Sequence, residues 1–184
     1  MRWMWIDRVI ELRPRERLVA VKNISLAEEH LHDHFAAEPS RDGGNGRPAM
    51  PIMPASLMLE GMAQTAGVLV GHAEEFRQKV ILAKINRAEI TRDAGPGMTL
   101  RYTATIQRMD EMGASTIGTI ELLDHARAER GYVPIGTVEM MFSHLDNNMG
   151  GAGAPGEEFP AHNFVFGDAF KMLLRTSGVA IPGE

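Results

Sequence analysis

The sequence predicts an α+β fold in which an antiparallel β-sheet wraps around one long central α-helix. Three observations carry that expectation. The stretch after Pro54 is apolar on every face of a projected helix, so it must be covered all round. Segments on both sides of it are rich in β-branched and apolar residues, and one alternates with a period of two. Turn-forming clusters separate these segments at short intervals. A curved sheet around one helix accommodates all three.

The elements follow in order. Residues 4 to 12 and 17 to 25 read as strands joined by a turn at Arg13-Pro14-Arg15. Residues 26 to 53 read mostly as loop, and the run from Ser40 to Pro48 (Ser-Arg-Asp-Gly-Gly-Asn-Gly-Arg-Pro) is a breaker cluster. Proline suits the first turn of the helix that follows. Gly61, Gly67 and Gly71 weaken its propensity but let other chain segments approach closely.

Val80 to Thr91 reads as a strand, ended by the turn Asp93-Ala94-Gly95-Pro96-Gly97. Leu100, Tyr102, Ala104 and Ile106 alternate with Arg101, Thr103, Thr105 and Gln107. Ser115 to Leu123 and Tyr132 to Ser143 complete the strands. Gly150 to Gly156 reads as a linker, and Phe164 to Leu174 as a short amphipathic helix. The expected organisation is therefore a domain over residues 1–148, then a linker and helical extension over 149–184.

Composition narrows the function. The chain has 184 residues, 44% of them hydrophobic, and a formal net charge of -5. An acidic chain has no general attraction for nucleic acid. The absence of cysteine excludes disulfides, thiolate catalysis and cysteine-based metal sites. Charges interrupt the apolar N-terminus, which does not read as a secretory signal, and no segment reaches the roughly 20 apolar residues of a membrane span. The expectation is a cytoplasmic protein that needs neither membrane nor nucleic acid. The 13 methionines read as core filler.

Two features carry chemistry. Glu60 and Gln64 lie four apart on the predicted helix and share a face. A carboxylate among apolar residues is costly unless paired or protonated, and burial raises a carboxyl pKa toward the range of a general acid. A wet edge or an arginine partner is the plainer alternative for Glu60. The second feature is His30-Leu31-His32-Asp33-His34-Phe35. If this run were extended, its three histidines would share a face and could hold a metal, but no supporting cluster sits nearby in sequence, so no metal is expected. Otherwise the segment is a solvated loop or supplies one histidine as a base. Spacing alone does not choose among these. No nucleophile elbow, phosphate loop or dinucleotide fingerprint is present.

The residues resemble the 3-hydroxyacyl-acyl-carrier-protein dehydratases of the FabZ type. Ile6 to Leu12 with Ala20 to Ser25 looks like that family's opening strand pair, and His34-Phe35 looks like its histidine motif. Met53-Pro54-Ala55-Ser56-Leu57-Met58-Leu59-Glu60-Gly61-Met62-Ala63-Gln64 looks like the start of its central helix. Ile85 to Ile90 with Pro96-Gly97 resembles the next strand and turn.

The resemblance implies a hotdog fold and dehydration of (3R)-3-hydroxyacyl thioesters to trans-2-enoyl thioesters in fatty acid or related acyl biosynthesis. It needs no cofactor. It selects His34 as base and Glu60 as acid, with Gln64 supporting Glu60 and the N–H groups near Ala55 and Ser56 polarising the thioester oxygen. It implies a homodimer, or a trimer of such dimers, with His34 of one chain facing Glu60 of the other. Acyl carrier protein is the implied partner, with Arg87, Arg92 and Lys84 as its basic contacts.

Three departures stand out. Ala55 and Asp33 replace usual glycines, and the histidine and glutamate are farther apart than in the family. Two other readings compete: a non-catalytic or specialised acyl-binding relative, and an acyl thioesterase on the same fold.

Overall fold

The computed structural model describes residues 3–40, 45–145 and 163–181. Positions 41–44 of the breaker cluster and the glycine-rich stretch from 150 to 156 lie outside the described residues. The elements are β1 (Arg8–Arg13), β2 (Arg17–Asn23), α1 (His30–Asp33), α2 (Ala55–Ala73), β3 (Val80–Ile90), β4 (Met98–Asp110), β5 (Gly113–Asp124), a 3-10 segment (His125–Arg130), β6 (Val133–His144) and α3 (Asp168–Thr176). The strands form one antiparallel sheet in the order β1-β2-β4-β5-β6-β3. Helix α2 packs against β2 to β6.

Alternation sets the sheet face. In β4, Leu100, Tyr102 and Ala104 are fully buried, while Arg101 and Thr103 are partly exposed. Ala114, Ile120 and Leu122 continue the inner face in β5. On the outer face Arg101 stands opposite Glu121 and grips it through two bonds of 2.7 Å, with its guanidinium 4.0 Å over Tyr132. Such a planar two-bond pair fixes register as well as adding attraction.

Helix α2 is buried nearly all round, from Met58 through Ala73. Pro54 caps it in an extended conformation (ψ 134°) rather than entering its first turn. Two of its glycines are close approaches. A side chain at Gly61 would meet the Tyr102 ring at 2.6 Å and the Trp5 carbonyl oxygen at 2.8 Å. One at Gly71 would meet the Phe166 ring at 2.4 Å. The turn between β1 and β2 reaches the far end of the helix, where Arg15 donates to the Ala73 carbonyl at 2.9 Å. A cation suits the carbonyl-rich end of a helix.

Three details differ from the sequence expectation. The loop over 26–53 contains α1, a single turn pinned by Leu31, which is 2% exposed in an otherwise polar run. The described chain on either side of the breaker cluster forms a hairpin-like excursion. Its base is closed by the Phe35 and Met50 main chains (2.6 and 2.8 Å) and by an isolated bridge between Glu38 and Arg47. The C-terminal helix starts at Asp168, because Asn163 first folds the chain back: its amide donates to the Phe76 and Gln78 carbonyls at 2.9 Å each. α3 then docks through Leu173 and Leu174, and Ser177 Oγ accepts from the Val9 N–H at 3.0 Å.

Candidate active site

Glu60 and Gln64 come together as their spacing predicts. Gln64 is buried, and its amide orientation follows from its partners. The Trp5 N–H can only donate, so it faces Gln64 Oε1 at 2.8 Å. Gln64 Nε2 therefore faces acceptors: the Trp3 carbonyl at 3.1 Å and Glu60 Oε1 at 3.0 Å. The Trp3 indole N–H donates to that same Glu60 oxygen at 3.1 Å. Two obligate donors thus occupy Oε1, which leaves Oε2 as the oxygen that can carry and deliver a proton. Glu60 is half-buried, and the partners of its carboxylate are Trp3 and Gln64 rather than an arginine.

Glu60 and Gln64 lie at the polar end of an apolar cleft of about 260 Å³. α2 contributes Ala63, Gly67 and Val68 to its walls, and β3 contributes Val80, Ile81 and Leu82. Phe142, Phe166 and Phe170 supply aromatic faces. The cleft thus borders β3, which is paired on one side with β6 and forms a sheet edge.

His34, at the end of α1, is fixed against Ile52 in the segment that leads into α2. Its main-chain carbonyl accepts from the Ile52 N–H at 2.8 Å, and its Nδ1 lies 2.9 Å from the Ile52 carbonyl. A carbonyl only accepts, so Nδ1 carries the hydrogen, and in the neutral ring Nε2 keeps a free lone pair. The ring stacks on Phe35 at 4.2 Å, and Arg47 covers the Phe35 ring at 5.2 Å. Within one chain, His34 and Glu60 share no hydrogen bond among the described residues.

The other predicted positions are distributed as follows. Ala55 and Ser56 are exposed at the first turn of α2, ahead of the first helical bonds, which Leu57 and Met58 donate to Pro54. Their N–H groups project from the positive end of the helix dipole. Arg87 is exposed and held by Glu89 at 2.7 Å. Lys84 and Arg92 are exposed at the same strand and just beyond it. His30 and His32 sit on a helical turn rather than an extended strand, which removes the shared face a three-histidine metal site would need.

Sequence reasoning missed two contributors. Trp3 and Trp5 complete the Gln64 network, and their rings meet edge to face at 5.4 Å. His30 packs edge-on against Trp5 at 5.2 Å, and burial pushes its pKa down. The signal available was the pair of tryptophans so close to the N-terminus, but nothing local to residues 3 to 5 says they lie against residue 64.

Comparisons with known proteins bear on the family and the fold. The FabA-like domain family matches residues 47–126. A 3-hydroxyacyl-acyl-carrier-protein dehydratase FabZ from Clostridium kluyveri is 30% identical over 147 residues, spanning 79% of this chain and 88% of its own. Another FabZ, from Symbiobacterium thermophilum, is 40% identical over 108 residues, spanning 58% of this chain and 68% of its own. Among solved structures, the dehydratase heterocomplex ApeI:P from Xenorhabdus doucetiae superposes with a TM-score of 0.54 at 18% identity, covering 77% of this chain and 83% of that one. An acyl-CoA hydrolase from Agrobacterium tumefaciens superposes with a TM-score of 0.52 at 14% identity, covering 73% and 45%. At these identities the structural likenesses speak for the hotdog fold alone. No helix among the described residues is long and apolar enough to cross a membrane. The sequence relatives carry the assignment further: the chain belongs to the FabZ family of 3-hydroxyacyl-acyl-carrier-protein dehydratases.

Proposed function

We propose that the protein dehydrates (3R)-3-hydroxyacyl groups borne on acyl carrier protein, as one step of fatty acid or related acyl biosynthesis. The observation that carries this reading is Glu60 at the mouth of an apolar cleft, with Oε1 occupied by Gln64 and Trp3 and Oε2 left for a proton.

The chemistry runs as follows. His34 Nε2 removes the C2 proton of the substrate. The electron pair moves toward the thioester carbonyl, whose oxygen is stabilised by the Ala55 and Ser56 N–H groups. The C2–C3 double bond then forms as the C3–O bond breaks, and Glu60 Oε2 protonates the departing hydroxyl to give water. His34 is left protonated and Glu60 ionised, so transfer of one proton between them resets the pair.

The acting pair comes from two copies of the chain. β3 is an eleven-residue edge strand without proline, and it exposes Leu82 and Ile85 at 40% and 39%. A long uncovered edge invites pairing with another strand, even with Lys84, Arg87 and Glu89 along it. A second copy added there lies beside the cleft and brings its own His34 toward Glu60. Arg87, Arg92 and Lys84 then flank the approach of the acidic carrier protein.

The test is incubation with 3-hydroxybutyryl thioesters, free and carrier-linked, followed by the absorbance of the conjugated enoyl product. Steady enoyl formation is expected. Release of thiol without enoyl product would instead identify a hydrolase, and tight acyl binding without either product a non-catalytic relative.

A further inference from the structure

We infer that Phe166 and Phe170, contributed by the segment that follows the sheet, close the far end of the acyl cleft and cap the acyl chain at a tail that ends before Gly71. This rests on the proposed dehydratase reading for the identity of the cleft's occupant.

The geometry of α2 sets the direction. Glu60, Gly67 and Gly71 are seven and then four residues apart, so they share one face of the helix. At 1.5 Å per residue, Gly71 lies about 16 Å along the axis from Glu60. An acyl chain leaving the reacting carbons at Glu60 runs along this face. Gly67 lines the cleft, and a side chain there would meet only the Phe142 ring, at 3.6 Å. The path is therefore open at Gly67. At Gly71 it ends, because the Phe166 ring is seated where a Cβ would stand, 2.4 Å away.

The stopper is built rigidly. Phe166 is 6% exposed and packs edge to face with Phe76 at 4.8 Å and with Phe170 at 5.8 Å. Asn163 anchors the segment to the Phe76 and Gln78 carbonyls and receives the Val165 N–H at 3.1 Å. The resulting volume of about 260 Å³ falls below the roughly 300–1,000 Å³ usual for drug-sized ligands. An extended chain advances roughly 1.3 Å per carbon, so a decanoyl tail ends short of the rings and a hexadecanoyl tail reaches them. Each further methylene must displace an aromatic ring from a packed position, a cost that discriminates steeply between chain lengths.

The experiment compares the parent protein with Phe170→Ala and Phe166→Leu, each shown to be folded by its thermal melt. Turnover of 3-hydroxybutyryl and 3-hydroxyhexadecanoyl thioesters is measured alongside binding of unreactive butyl and hexadecyl pantetheine thioethers. Binding is read from tryptophan fluorescence, since Trp3 lines the cleft. In the variants, the hexadecanoyl-to-butyryl ratio of kcat/KM is expected to rise by about tenfold or more, and the hexadecyl-to-butyl ratio of affinities to rise with it. Ratios within twofold of the parent in both folded variants overturn the inference, even where dehydration itself is intact. If no protein dehydrates either substrate but the affinity ratio shifts, the dehydratase reading fails and the chain-length stop stands.

Discussion

Gln64 Nε2 donates to Glu60 Oε1 at 3.0 Å, while Gln64 Oε1 takes the Trp5 N–H at 2.8 Å. One buried amide therefore ties the proposed acid to the N-terminal segment and determines which carboxyl oxygen is free. Replacing Gln64 with leucine keeps the volume and removes these bonds together with the one to the Trp3 carbonyl. The expected result is a loss of about tenfold in kcat with a smaller change in KM, since the bond positions a group used in the transition state. Trp3→Phe removes the other donor to Oε1 and is expected to shift kcat in the same direction by less. Steady-state kinetics on 3-hydroxybutyryl thioesters checks both.

Gly61 faces Tyr102 and the Trp5 carbonyl, so Gly61→Ala must push the sheet off the helix. Overpacking of this kind costs about 1–3 kcal/mol, and the gain in helix propensity returns only about 1. A drop in Tm of several degrees is expected, since about 1 kcal/mol corresponds to roughly 2–4 °C at this chain length. Tyr102→Phe removes a buried hydroxyl that has no hydrogen-bond partner among the described residues and that is one of the two Tyr102 atoms crowding this position. In the double variant it is expected to recover part of the loss.

The extent to which these features are legible in the sequence depends on how local their cause is. The inward set Leu100, Tyr102, Ala104 is readable because a pleated strand alternates by construction. The burial of α2 is readable because apolar residues occur on every face of it. Glu60 and Gln64 are readable as neighbours because four residues make about one helical turn. The role of Phe166 is not readable: its partner, Gly71, is far away in sequence, and a glycine in a helix does not announce which ring fills its place. The turn α1 escapes for the opposite reason, since a single buried leucine has no period. His34 was singled out by family resemblance. Its hydrogen bond to the Ile52 carbonyl, which fixes the free nitrogen, becomes visible only in three dimensions.

Stability is expected to fall on mild acidification. Burial pushes the imidazoles of His30 and His72 below their ordinary pKa; at His30, Glu28 opposes that shift while Lys22 and His34 add to it. The sign follows from proton uptake. Above the ordinary histidine value of about 6.5 both states are neutral and the stability is complete. As pH falls below that value the unfolded chain binds protons first, so stability is lost down to the lower folded pKa values. Denaturant midpoints measured from about pH 7 to pH 5 should decline, and the decline should be shallower in His30→Gln and His72→Gln. An unchanged slope in both variants would remove these two groups as its source.

The central claim is that His34 of one copy works with Glu60 of another. The most direct measurement mixes two inactive proteins, His34→Ala and Glu60→Gln, after dissociation and reassociation. In a two-fold dimer with shared sites, each hybrid carries one site with both defects and one site with neither. Random mixing makes about half the dimers hybrids, so activity should return to about a quarter of the parent value. Hybrids demonstrated by mass but no more active than the two variants alone would contradict the account.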